Sequence, residues 1–198
     1  MNNAFFTFIK PVLAFVDDGR FFRRPFSWLY LVLAILNLIL PIYILVTSID
    51  NNVFDMSGGA IVTFFLVWLV LVFTCWLGFQ LWWDRSSIVS RVTKSDEDYI
   101  ATPVFSHFIQ TAGEWLGLFY ALVGFAFALF ATIIIGDNAT ILSMRMDLGF
   151  LDAGIENIIL KPVYGFLLVV VFRVIAEIFR ALTAIANNTK RGEKHVKV

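Results

Sequence analysis

Apolar residues run almost uninterrupted through four stretches of the chain, near 27–48, 60–82, 113–135 and 160–183. Each approaches the roughly 20 helical residues that cross about 30 Å of hydrocarbon, and a soluble core could not use runs so long. The pattern predicts an all-α integral membrane protein with four transmembrane helices. The first run carries Asn37 and Pro41, so a bend near Ile39 is expected, with neighbouring helices satisfying the carbonyl that the proline leaves free. The second run has no charge and closes on Trp82 and Trp83 ahead of Asp84 and Arg85, the pattern of an interfacial aromatic belt.

The segments between the runs complete the plan. AFFTFIKPVLAFV, ahead of the first run, is too short to span. Followed by Arg20, Arg23 and Arg24, it predicts an N-terminal interfacial amphipathic segment whose arginines meet lipid headgroups. Lys10 and Pro11 interrupt it and no small-residue cleavage site follows, so it is expected to stay on the chain. The stretch DRSSIVSRVTKSDEDYIATPVFSHF mixes both signs of charge and offers Ser95 as an N-cap, which suits a solvated hairpin or short helix. The expected division is 1–26 interfacial segment, 27–186 membrane domain and 187–198 basic tail.

Composition agrees, since 60% hydrophobic and 15% charged residues depart from the balance of a soluble domain. Net charge is zero and points away from nucleic acid, but the placement of charge is informative. Lys10, Arg20, Arg23 and Arg24 precede the first span; Arg85, Arg91 and Lys94 lie between the second and third; Lys190, Arg191, Lys194 and Lys197 follow the fourth. The first connection holds Asp50 and Asp55, and the third sets Asp137, Asp147, Asp152 and Glu156 against Arg145. Basic residues gather on the cytoplasmic side, so both termini are expected there.

Motifs of soluble chemistry are absent: there is no glycine-rich phosphate loop, no cysteine pair, no HExxH and no GxSxG. Cys75 sits inside an apolar run and reads as a small buried hydrophobe. His107 borders the third span and His195 lies in the tail, so neither a metal site nor a cofactor is expected.

Two patterns inside the spans stand out. Gly113, Gly117, Ala121, Gly124 and Ala128 place small residues along one face of the third span, the spacing that lets helix backbones approach closely in lipid. Arg173, Glu177 and Arg180 interrupt the fourth run at steps of four and three, which stacks them on one face. An arginine near the bilayer centre costs about 2.5 kcal/mol or more, so such residues pair or face water. With Glu114 at the inner end of the third span and Gln80 at that of the second, a polar cluster of Gln80, Glu114, Arg173, Glu177 and Arg180 is expected. It would serve as a clasp fixing helix register, as the vestibule of a solute pathway, or as an anionic lipid site.

The terminal stretch VFRVIAEIFRALTAI, with the polar basic tail after it, resembles the last helix of a group of small multi-pass bacterial membrane proteins classed as a domain of unknown function. An arginine, a glutamate and a second phenylalanine-arginine pair recur there, and the resemblance covers roughly the last thirty residues. It implies a bacterial inner-membrane address and no established activity.

Three functions are compatible with these features. The favoured one is a non-enzymatic membrane subunit or scaffold that assembles with itself or a larger membrane complex. The second is an oligomeric channel or transporter for ions or small solutes using the polar cluster. The third, a lipid-acting enzyme, would need Glu114, Glu177 or His107 as acid or base, and no arrangement for that work is readable. The expected partners are membrane lipids and further copies of the chain or other membrane subunits.

Overall fold

A computed structural model describes residues 20–89 and 101–196, with side chains over 24–89 and 101–189 apart from 137. Every regular element among them is helical: α1 (Arg20–Asp50), α2 (Gly58–Val89), α3 (Ala101–Ile134), the short α4 (Ala139–Arg145) and α5 (Ile155–Val196). Four of them, α1, α2, α3 and α5, are long and apolar enough to cross a membrane.

The helices outrun the apolar runs that predicted them. α3 starts at Ala101 rather than near 113, with Pro103 in its first turn, where a missing N–H has no intrahelical partner to lose. Its early turns bury Ser106, His107 and Thr111. Hydropathy discounts such residues, although a bundle interior can satisfy them, and so His107 lies within the helix and not at its border. Asp84–Val89 still belongs to α2, which leaves no hairpin across the whole of 84–108; Ser95 is outside the described residues. The expected tail at 187–198 is largely a continuation of α5, which runs to Val196. Arg20, Arg23 and Arg24 fall in the first turns of α1, while the interfacial segment expected ahead of them lies outside the described residues. α1 passes through Pro25 and Pro41 as one helix, and the Pro41 carbonyl accepts a bond from Trp68 Nε1 at 2.9 Å.

Each span packs on its neighbour in sequence: α1 on α2, α2 on α3, and α3 on α5, with α5 held almost wholly by α3. The start of α1, the end of α2, the start of α3 and the stretch of α5 around Phe179 and Arg180 meet at one end, here the terminal end. There Ser27 Oγ donates to the Ser86 carbonyl at 3.3 Å, Phe26 and Phe108 pack edge-on at 5.9 Å, and Phe105 meets Phe179 at 6.2 Å. The middle is filled by Phe64, Val67, Leu71, Cys75, Val123 and Phe127, all buried. Within lipid this core is held by close van der Waals contact, because hydrocarbon offers no hydrophobic gain between helices.

Two features were not visible in the apolar pattern. A π turn, Tyr120–Gly124, interrupts α3 and re-aims its second half, so Phe119, Val123 and Phe127 face the core while Gly124 meets α5. The third connection also packs inward. Leu142, Met146, Leu148 and Leu151 pack into the core and cap the end opposite the termini. Arg145 Nη1 donates to the Asn52 carbonyl at 2.6 Å, Asn51 Nδ2 to the Arg145 carbonyl at 2.9 Å, and the Tyr43 hydroxyl to Asp147 Oδ2 at 2.9 Å. Asn52 and Asp147 take positive φ of 57° and 58°, the left-handed conformation that these two residue types tolerate best after glycine.

Candidate functional site

The seam between α3 and α5 sets the geometry of everything polar around it. Gly113 lies against the Phe172 side chain. A Cβ on Gly117 would stand 2.5 Å from the Gly165 carbonyl oxygen and 2.5 Å from Val169 Cγ2, and one on Gly165 would stand 2.8 Å from Ala121 Cβ. Gly124 lies against the Lys161 stem, and Ala128 is buried farther along. The small residues of α3 therefore let its backbone touch that of α5, with Gly165 as the reciprocal small residue on α5.

At the terminal end this register brings together a chain of polar groups from three helices. Arg85 Nη2 of α2 donates to Glu114 Oε2 of α3 at 3.2 Å, and Gln110 Nε2 donates to Glu114 Oε1 at 2.8 Å. Gln110 Oε1 accepts from Arg180 Nη2 of α5, and Arg180 Nε donates to Ser106 Oγ at 3.2 Å. One carboxylate thus sits between two guanidiniums, with an amide that accepts on one side and donates on the other. Beside it, the Tyr30 hydroxyl of α1 lies 3.0 Å from His107 Nδ1 and 3.5 Å from Thr111 Oγ1, and Thr111 donates to the His107 carbonyl at 2.9 Å. Tyr30 also packs edge-on against Trp82 at 5.1 Å, so Trp82 is buried and only Trp83 of the expected belt pair points outward.

The expected five-residue cluster is therefore divided. Glu114 and Arg180 join through Gln110, with Arg85 as the carboxylate's cation. Arg173 and Glu177 pair with each other, Nε to Oε1 at 3.3 Å, and both side chains are 61% exposed. Gln80 is exposed on α2. Helix geometry explains the division. Taking buried Ala176 as the seam, Arg180 stands only about 40° off it, whereas Arg173 and Glu177 stand about 60° and 100° off. Arg180 can fold back onto α3, while the other two turn outward. Gln110 and Glu114 leave the seam in the same rotational sense, which in an antiparallel pair puts all these groups on one side of the α3–α5 pair.

Arg85 was missed as a partner because it follows an apolar run and counted as a connection residue. The signal was available: Gly78, Trp82 and Arg85 follow at steps of four and three and share one face of α2. Gly78 lies against Asn37 Oδ1, which accepts from Trp115 Nε1 at 2.7 Å. Asn37 and Trp115 also line a mostly apolar groove of about 450 Å³ with Leu33, Leu36, Leu40 and Tyr43. At the capped end Lys161 is buried, its ammonium 3.4 Å from both the Phe150 carbonyl and Asp152 Oδ2 and 5.8 Å from the centre of the Tyr120 ring.

Among the described residues no group of three histidine, cysteine or acidic side chains is placed to hold a metal ion. Cys75 is buried in the apolar core. Comparison with protein-family models, curated proteins and solved structures gives no match. The chemistry on view is charge pairing, at a packed junction of three helices and on an open helix face.

Proposed function

We propose that this chain is a non-catalytic membrane subunit that assembles laterally, with itself or in a larger complex, through the outer side of α5. The reading rests on the exposed Arg173–Glu177 pair. Exposed Phe166 and Val170 need no explanation on a helix that faces lipid, but an open ion pair inside an apolar span does. Arg173 stands level with Gly113, deeper in the bundle than the Trp82–Phe108 contact. A protein partner that supplies polar groups relieves that cost. A pathway through a single chain is disfavoured, because the polar groups at the two ends are separated by Leu71, Cys75, Phe119, Val123 and Phe127.

The placement of basic residues supports a cytoplasmic position for both termini, which leave from the same end of the bundle. Together with the resemblance of the last helix, this favours a bacterial inner membrane. Native mass measurement in mild detergent, with cross-linking in intact membranes, tests the assembly. The expected result is more than one copy, or a copy with another membrane protein, reduced to single chains by Arg173→Gln with Glu177→Gln. A wild-type chain that is single in both experiments overturns the proposal.

A further inference from the structure

We infer that the occupant of this face is a second copy of the chain, related by a two-fold axis along the membrane normal, with Arg173 of each α5 paired to Glu177 of the other. The inference rests on the assembly reading and names its partner. Two observations carry it.

The first is that the pair is self-complementary and unsaturated. Within one chain only Nε and Oε1 meet, at 3.3 Å, which leaves both Nη groups of a five-donor guanidinium and the second carboxylate oxygen to find partners outside the pair. A two-fold axis along the normal makes two α5 helices parallel and level. Arg173 then faces a Glu177 about 6 Å along the partner helix, a step that the long arginine side chain can span. The pair is neutral, so it has no net attraction for an anionic headgroup, whereas a copy of itself supplies both signs in register.

The second is the surrounding pattern. Ile159, Val163, Phe166, Val170, Arg173 and Glu177 follow at steps of four, three, four, three and four, the 3.5-residue repeat of a left-handed parallel helix pair. All six are exposed. The charged residues thus occupy successive core positions of that seam, where a polar pair fixes register and partner number.

Charge-swapped single variants test this directly. Arg173→Glu and Glu177→Arg chains, carrying different tags, are expressed separately and together, and association is read by co-purification and native mass. Each variant alone places like charges across the axis and should associate at least about tenfold more weakly than wild type. Expressed together they should recover wild-type association as mixed dimers, because the carboxylate introduced at position 173 of one variant then meets the guanidinium introduced at position 177 of the other. A chain with both swaps should also dimerise, and equal thermal stability of the monomers shows that the fold is intact. Mixed variants that associate no better than each alone overturn the inference. If wild type meanwhile retains a different membrane protein, the assembly reading survives; if wild type has no partner at all, both fall.

Discussion

The close backbone approach of Gly117 to Gly165 gives the sharpest test of how the bundle is held. In Gly117→Ala the new Cβ would lie 2.5 Å from the Gly165 carbonyl oxygen, and ordinary contact begins near 3.4 Å, so the helices must part by roughly 0.9 Å. The obstacle is backbone on one side and the branched Val169 on the other, so no side-chain rotation relieves it. Overpacking of this kind costs about 1–3 kcal/mol, and the better helix propensity of alanine returns up to about 1. A net loss of about 1–2 kcal/mol should lower the melting temperature by roughly 2–8 °C for a chain of this size. Gly124→Ala is the internal comparison, because its Cβ would meet only the Lys161 stem, at 3.1–3.3 Å, and a lysine stem can move. Gly58→Ala, with nothing within 4 Å, is the control. Unfolding in mild detergent, followed by tryptophan fluorescence, should rank Gly117→Ala least stable and Gly117→Leu unassembled. If the three alanine variants melt together, the seam is not set by glycine contact.

Two further outcomes follow from the polar contacts. Trp115→Phe removes the donor to Asn37 Oδ1 in a largely buried place and should cost about 1–3 kcal/mol; Asn37→Leu with Trp115→Phe should recover part of that in a double-mutant cycle, and strict additivity would show that the bond contributes nothing. Arg85→Gln should destabilise by only about 1 kcal/mol, since Glu114 is partly exposed and keeps Gln110 as donor; a loss as large as that of Trp115→Phe would mean that the junction is drier than its exposure indicates.

The four spans were legible because each is a long apolar run, and nothing else in the chain has that length. Their ends were not, because helix continuation depends on where polar residues point. Ser106, His107 and Thr111 look like a connection in a hydropathy reading and like helix once α1 and α5 are in place to receive them. The stripe on α5 was legible as a stripe, since spacing alone fixes which residues share a face. Its division into an Arg180 bonded to α3 and an outward Arg173–Glu177 pair depends on the rotation of α5 about α3, and that rotation is set by Gly117 meeting Gly165 across the seam. The third connection defeated pattern reading for a different reason. Its apolar residues are spaced among aspartates and glycines, too sparsely for a span, yet Leu142, Met146, Leu148 and Leu151 all turn inward.

That inward-facing cap also bears on how the protein is made. Helices that pack on their neighbours in sequence can assemble in the order in which they leave the ribosome, each new span finding its partner already in the bilayer. The cap cannot follow this order. Its leucines belong with Phe64 and Val67 of the second span, but they emerge only after the third span is complete, and with both termini on the cytoplasmic side, as proposed above, they would have to cross the membrane before docking. Until α5 enters, the segment lacks the contacts that Lys161 makes with Phe150 and Asp152. Biogenesis therefore has a vulnerable interval near its end, and variants that slow entry of the fourth span should be degraded from that loop rather than from the termini.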